Sequence, residues 1–507
     1  MKPPRKPAAP AAARAPGAPR IDLFDPRAPY LVPLLLLLAA RLFLATRIEF
    51  ASEDALITFR YAWMWVHGHG PVFNPDERVL GFTSPPWMAW IALGMRLGAS
   101  PLVWARAWLV FADAMTLVSL AALLERHASR AAAWCWVVFF AGWPYFGALA
   151  CSGLEPGVML MLVALTALLI DRQHAAAGVA LGLLAVIRPE GLLAAAVLGV
   201  WAGRRDRLVA LGILAATLAA LALYYGSPVP QSVIAKHSVY GARGPAASSQ
   251  WWFWATPVPV QRTAGLPADA ANLALFALVM FPAALSGIAL AWSRRGTALA
   301  GAFAALCAVW ASLIAVGASY FFWYLAAPAA AWGLLASSGM PRIARGRLLY
   351  AGLAIALATH WFFEPKLYSG RANTEGLAFG SVAEYVGARA HAGESLMLEP
   401  IGTIGWRNTS LRIVDEVGLV SPEATEARQA GAGWYSRLLE RRAPDWLVVR
   451  ASLITRGAAF AGAAAPFRDA DDQARALGRY EIVAASDSSA GDLALMVLHR
   501  KGAEPAR

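Results

Sequence analysis

Apolar segments long enough to cross a lipid bilayer recur along most of this chain, and small clusters of arginine separate them. A spanning helix needs about 20 mostly apolar residues, because hydrocarbon offers no partner to backbone N–H and C=O groups. A first such run covers 30–46, and others follow at 101–124, 132–150, 157–170, 175–188 and 190–203. The series continues at 208–225, 271–292, 298–317, 320–338 and 348–362. The pattern predicts an α-helical polytopic membrane protein with about eleven transmembrane helices.

Composition narrows the class. Hydrophobic residues make up 58% of the chain and charged residues only 15%, against roughly a half and a quarter in soluble domains. The formal charge of +12 does not point to nucleic acid, since the arginines punctuate apolar runs instead of forming one basic face. Cys135, Cys151 and Cys307 lie in or at the end of apolar runs, so neither a disulfide framework nor a zinc site of CxxC spacing can be built from them. Residues 1–29, rich in Ala and Pro with six Lys and Arg, are expected to form a disordered basic arm on the cytoplasmic side. The run at 30–46 has a poor small-residue cleavage pattern and is taken as a retained helix.

Charge parity sets the orientation. Segment 84–97, SPPWMAWIALGMRL, is ambiguous. As a re-entrant or interfacial helix anchored by Trp87 and Trp90, it leaves the clusters at Arg126–Arg130, Arg172–His174, Arg204–Arg207, Arg294–Arg295 and Arg342–Arg347 all cytoplasmic. As a span, it moves every one of them outside. With 84–97 interfacial, residues 30–362 form the membrane domain, and 47–100 is its first outer loop. Residues 226–270 and the turns at Cys151–Pro156, Arg188–Gly191 and Ser319–Tyr324 also face outward. Residues 363–507 then make a small extracytoplasmic α/β domain, with strands at 395–400, 410–415, 445–450, 480–485 and 494–499. Segments near 376–391 and 422–440 are its helices.

Most polar residues with chemical potential fall on that outer side. Glu53 and Asp54 adjoin the end of the first helix, where two carboxylates are costly unless they pair, bind a cation or move protons. A carboxylate there could take the proton of an acceptor hydroxyl, or hold a divalent ion (Mg or Mn) against a leaving phosphate. It could equally cap the helix starting near Ala55. Arg60 and His67 share one helical face. Glu155 stands at a helix start, where a dipole role competes with a functional one. Arg188 lies at membrane depth; its natural partner is a lipid phosphate, and the rival is a snorkelling pair with Glu190. Lys236 ends a Pro-broken loop leaving the membrane at Tyr225 and is placed to meet an interfacial anion. Trp251, Trp252 and Trp254 suit interfacial anchoring better than sugar stacking. Asp113, in mid-helix, has Arg106 seven residues earlier on the same face as a partner.

At these positions the chain resembles the GT-C superfamily of polytopic glycosyltransferases, and within it the bacterial terminal arabinofuranosyltransferase-like proteins. The likeness is carried by Glu53-Asp-Ala-Leu-Ile-Thr-Phe-Arg-Tyr61, Gly68-His-Gly70, Phe73-Asn-Pro75 and Gly81-Phe-Thr-Ser-Pro85. Ser152-Gly-Leu-Glu155, Arg188-Pro-Glu190, Tyr225-Gly with Pro230 and Lys236, and Val414-Asp-Glu-Val-Gly-Leu419 add to it. Three departures stand out. Glu53 replaces the usual Asp, Pro230-Gln-Ser replaces Pro-Asn-Thr, and Trp323-Tyr324 replaces Arg-Tyr.

The resemblance implies a multi-pass enzyme of the bacterial inner membrane with its C-terminal domain in the periplasm. It would transfer a sugar, arabinofuranose, from a polyprenyl-phosphate donor to an envelope glycan, lipid or protein acceptor. Asp54, with Glu53 beside it, is the implied catalytic carboxylate. Arg60, His67, Glu155, Arg188, Glu190, Tyr225, Lys236, Tyr324 and Asp415 are the implied substrate-binding residues. A mannosyl- or aminoarabinose-transferring relative is the alternative within enzymes. A lipid or solute transporter is the alternative outside them, and the sequence shows neither the paired broken helices nor the internal pseudo-repeats common in that class.

Overall fold

Proline placement decides where the apolar runs break into helices. A proline in the first turn loses nothing by lacking an N–H, whereas one in mid-helix removes a bond and clashes with the preceding turn. In the computed structural model, which describes residues 30–240, 281–316, 321–343, 347–454, 458–460, 462, 464–485 and 493–502, six of the helices below begin at such a proline. The order is α1 (Leu31–Ala45), α2 (Glu53–Val66), α3 (Pro85–Arg96), α4 (Pro101–His127), α5 (Arg130–Gly142), α6 (Pro144–Cys151) and α7 (Pro156–Asp171). There follow α8 (Ala177–Ile187), α9 (Pro189–Leu198), α10 (Arg204–Tyr225) and α11 (Gln231–Tyr240). Beyond residue 280 come α12 (Phe281–Ser293), α13 (Ala298–Ala315), α14 (Ala326–Ile343) and α15 (Arg347–Gly387).

Among the described residues, α4, α10 and α13 are long and apolar enough to cross a membrane. The pair α5 and α6, bent by 52° at Pro144, makes a fourth if taken as one broken span. α1, α7, α8, α9 and α12 are apolar but shorter. Leu35, Leu36 and Leu42 on α1, and Leu208, Leu211 and Leu223 on α10, remain exposed, as suits faces solvated by lipid. The chain is built as an integral membrane protein.

α3 covers 12 residues of the segment at 84–97, too few to span. Trp87 departs from its expected anchoring role: it is buried and donates its indole N–H to the Gly153 carbonyl at 3.2 Å. The partner expected for Asp113 is also corrected. Asp113 accepts from Arg41 of α1 at 2.8 Å, and both are buried. Arg41 further donates to the carbonyls of Phe140 and Ala141, groups that the break at Pro144 leaves without helical partners. Arg106 donates instead to the carbonyls of Cys151, Ile48 and Phe50. Seven residues along one helix are about 10 Å, whereas α1 brings Arg41 directly alongside.

α15 is one helix of 41 residues, so the boundary expected at 362/363 falls inside a continuous element that leads into the C-terminal domain. That domain holds all five expected strands: β1 (Ser395–Leu398), β2 (Arg412–Asp415), β3 (Trp446–Arg450), β4 (Tyr480–Ala485) and β5 (Leu495–Arg500). The sheet order is β2-β1-β3-β5-β4. β1 pairs in parallel with β2 and β3, while β5 is antiparallel to β3 and β4. The central β3 is apolar almost throughout because both its faces are covered; the edge strand β4 is largely exposed. Between β1 and β2 lies the short α16 (Thr403–Arg407). The single helix expected at 422–440 is two, α17 (Pro422–Gln429) and α18 (Trp434–Arg442), separated where Gly431 and Gly433 take φ of 85° and 80°. Trp251, Trp252 and Trp254 lie outside the described residues.

Candidate active site

A residue preceding proline is pushed out of the helical region. Arg188, before Pro189, accordingly takes an extended conformation (φ −157°, ψ 157°) and breaks the chain between α8 and α9. Its guanidinium meets the carboxylates of Glu155, at the start of α7, and Glu190, at 2.5 Å and 3.2 Å. The Tyr324 ring lies 5.9 Å from it. Glu155 makes no capping bond to its own helix, so the arginine and not the helix dipole holds it.

Asp54, in the first turn of α2, accepts from the Lys236 ammonium of α11 at 2.9 Å. The lysine also faces the rings of Phe321 and Trp323, which stack on each other with centroids 4.8 Å apart. Where the family pattern has an arginine, this chain presents the Trp323 ring to a cation supplied by α11. These groups line one cavity of about 510 Å³, a size that suits a small-molecule site. Leu193, Val233, Leu313 and Val316 give it an apolar wall.

Of the residues singled out in the sequence, Asp54, Glu155, Arg188, Glu190, Lys236 and Tyr324 therefore converge on this cavity. Five others are placed elsewhere. The Glu53 carboxylate is turned toward α16, accepting the Thr403 backbone N–H at 2.9 Å and the Thr403 hydroxyl at 2.6 Å. Burial pushes it up to about 7, against the opposing pull of those Thr403 bonds. Arg60 is fully buried and donates to the carbonyls of Phe73, Gly405, Asn408 and Leu411. His67 stacks on Trp63 at the exposed end of α2. The Tyr225 hydroxyl donates to the Pro71 carbonyl at 2.5 Å. Asp415 is buried and accepts the backbone N–H groups of Val417, Leu419 and Val420, closing the turn after β2.

Glu53 and Arg60 hold the first loop against the C-terminal domain, and Tyr225 ties α10 to that loop. Asn74 completes the junction, exchanging two side-chain bonds with the Ile413 backbone as a neighbouring strand would. Gly81 is required there, since a Cβ would lie 2.6 Å from the Tyr61 hydroxyl and 2.9 Å from the Leu419 carbonyl oxygen. Part of the long first-loop pattern thus encodes docking. Phe321 and Trp323 are the site residues that sequence reasoning missed; the signal was the aromatic run Phe321-Phe-Trp-Tyr324 at the foot of α14.

Among the described residues no group of three or more His, Cys, Asp or Glu converges, Asp54 is paired with Lys236, and both other cavity carboxylates face Arg188.

Comparison with known proteins places this geometry. The family described as a domain of unknown function, DUF8728, matches residues 367–495, the C-terminal domain with the end of α15. No curated protein matches the chain in sequence. Among solved structures, ArnT from Cupriavidus metallidurans bound to undecaprenyl phosphate aligns with a TM-score of 0.56 at 14% identity, over 93% of this chain and 97% of that one. The fold resembles that of this ArnT. The apo state of the same ArnT aligns with a TM-score of 0.51 at 13% identity, over 92% of this chain and 97% of that one. The likeness covers both the helical part and the C-terminal domain.

Proposed function

We propose that the protein is a membrane glycosyltransferase moving a sugar, arabinofuranose by its resemblance, from a polyprenyl-phosphate donor to an extracytoplasmic glycan, lipid or protein acceptor. The observation that carries this reading is the Asp54–Lys236 pair, 2.9 Å apart in the wall of a cavity that Arg188 also lines. Glycosyl transfer requires a proton to leave the acceptor hydroxyl while negative charge grows on the leaving phosphate. A carboxylate beside an ammonium serves both needs. Once a donor phosphate accepts from Lys236, the Asp54 carboxylate is released to take the acceptor proton in an inverting reaction. In a retaining reaction it would stabilise the oxocarbenium-like centre instead. The apolar wall suits the first isoprene units, and the undecaprenyl phosphate bound by the ArnT neighbour supports this donor class. The accompanying topology is about eleven crossings with the N-terminus cytoplasmic and the cavity opening outward.

The test is a transfer assay on the purified protein in lipid discs, with synthetic polyprenyl-phospho-arabinofuranose and Asp54→Asn as the control variant. Transfer at the wild-type rate in that variant would sink the assignment. Parallel donors carrying mannose or aminoarabinose decide the sugar. Movement of donor across sealed vesicles without any transfer would favour a transporter.

A further inference from the structure

Two buried serines line the same cavity, and neither hydroxyl has a hydrogen-bond partner among the described residues. Ser84 is 2% exposed and Ser232 is 4% exposed. Leaving a buried polar group unpaired is unfavourable, and folded interiors pair nearly all of them. A pair of such groups on one cavity needs a reason.

The local sequence supplies part of it. Ser84 is the N-cap of α3, where a serine ordinarily accepts an N–H from the second or third helical residue. Pro85 and Pro86 fill the first two positions, and no capping bond forms. Ser232 lies in the first turn of α11, four residues before Lys236 and hence on the same face. The Gln231 N–H donates to the Leu80 carbonyl at 2.7 Å, which holds the strand of chain leading to Ser84 against the start of α11. The Gln231 side chain is occupied elsewhere, on the Gly418 carbonyl and the Thr425 hydroxyl. The two hydroxyls therefore stand in adjoining walls of the cavity that holds Asp54 and Lys236.

We infer that Ser84 and Ser232 bind the transferred sugar, exchanging hydrogen bonds with hydroxyls of the donor's glycosyl group; this rests on the transferase reading above. The chemistry favours the sugar over the phosphate. Phosphate oxygens of a diester only accept, and Lys236 and Arg188 already offer charged donors. A serine hydroxyl both donates and accepts, as a sugar hydroxyl does. A cavity furnished in this way discriminates against a donor that lacks the matching hydroxyl, because its own buried groups are then left unpaired.

The experiment uses Ser84→Ala, Ser232→Ala and the double variant in the full-length protein. Each is measured for binding and turnover of polyprenyl-phospho-arabinofuranose, for binding of sugar-free polyprenyl phosphate, and with singly deoxygenated donors. The expected result is a loss of about tenfold or more in kcat/KM for the intact donor per hydroxyl removed. Affinity for sugar-free polyprenyl phosphate stays within twofold of wild type, and wild type and variant converge on one deoxygenated donor. Tm is unchanged or higher, because an unpaired group has been deleted. Wild-type selectivity in both single variants would overturn the inference. So would an equal fall in affinity for donor and for sugar-free lipid phosphate, which would assign the hydroxyls to the phosphate. Should the wild-type protein bind donor but transfer nothing, the transferase reading fails, while the difference between donor and sugar-free binding still decides the role of the serines.

Discussion

The Lys236 ammonium lies 2.9 Å from the Asp54 carboxylate and 5.1 Å and 5.4 Å from the ring centroids of Phe321 and Trp323. Burial works against its charge, yet Asp54 and Tyr324 beside it outweigh burial and hold the ammonium above the ordinary lysine value. Lys236 is thus a fixed cation with one carboxylate partner, and its remaining donors can serve a ligand. Lys236→Gln should weaken polyprenyl phosphate binding and lower transfer by about 10²–10³. Asp54→Asn should lower kcat by about 10²–10⁴ without weakening that binding. Titration with polyprenyl phosphate alongside transfer kinetics separates the two effects.

Arg60 carries a different prediction because it touches nothing in the cavity. Its guanidinium serves four backbone carbonyls, one in the first loop and three in the C-terminal domain. Arg60→Ala would strip this donor from all four buried carbonyls, of which that of Asn408 keeps the Leu411 N–H at 3.1 Å, at a cost on the order of 3 kcal/mol. The expected outcome is a Tm lower by several degrees and easier proteolysis at the junction. Arg60→Lys should rescue little, since a lysine cannot spread donors over four carbonyls. Normal stability in Arg60→Ala would mean that Asn74 and Glu53 hold the junction without it.

Much of this arrangement was legible in the sequence, and the remainder fails for identifiable reasons. The strands at 395–398, 412–415 and 446–450 follow from short apolar runs bounded by turn residues, which need no tertiary information. Arg188 stands out because a charge at membrane depth is too expensive to be idle, and Lys236 because it ends a Pro-broken loop where it can meet an interfacial anion. Sequence alone does not tell whether a polar side chain faces a ligand or a backbone. Glu53 and Asp54 are adjacent, and about 100° of helical rotation sends one to Thr403 and the other to Lys236. Arg60 looks like a phosphate ligand until Gly405 and Leu411, some 350 positions on, are brought beside it. Trp323 looked like a cation lost, and only the fold reveals it as a wall for a cation from another helix.

The Glu53–Thr403 contact makes the same junction sensitive to pH. Burial raises the Glu53 carboxyl to about 7 from an ordinary value of 4.5. Between those two values the folded protein holds a proton that the unfolded chain has released. The stabilisation is complete below 4.5 and is lost as pH rises through about 7. The junction should therefore be more stable at pH 5 than at pH 8, and Glu53→Gln should flatten that slope. Unfolding of the full-length protein followed at a series of pH values checks it; a slope unchanged by the substitution would assign the titration to another group. Glu416, raised by burial to about 8, is the next to examine.

The charge count of the cavity gives a prediction of opposite sign to the usual loss of function. Leaving His237 aside, three carboxylates (Asp54, Glu155 and Glu190) line it against two cations, Arg188 and Lys236. A lipid phosphate must enter a site whose own charges, all ionised, sum to a net negative. Much of Arg188's donor capacity is engaged by Glu155 and Glu190. Glu190→Gln removes one negative charge and returns part of the Arg188 guanidinium to the cavity. Polyprenyl phosphate should then bind about tenfold more tightly, a shift well within what one nearby charge supplies in a partly buried site. Arg188→Gln should do the reverse, because it strands two carboxylates beside the incoming anion. Equilibrium binding of polyprenyl phosphate to both variants decides the point. Unchanged affinity in Glu190→Gln together with weakened affinity in Lys236→Gln would mean that the lysine alone meets the phosphate and that Arg188 serves to hold α7 and α9 together.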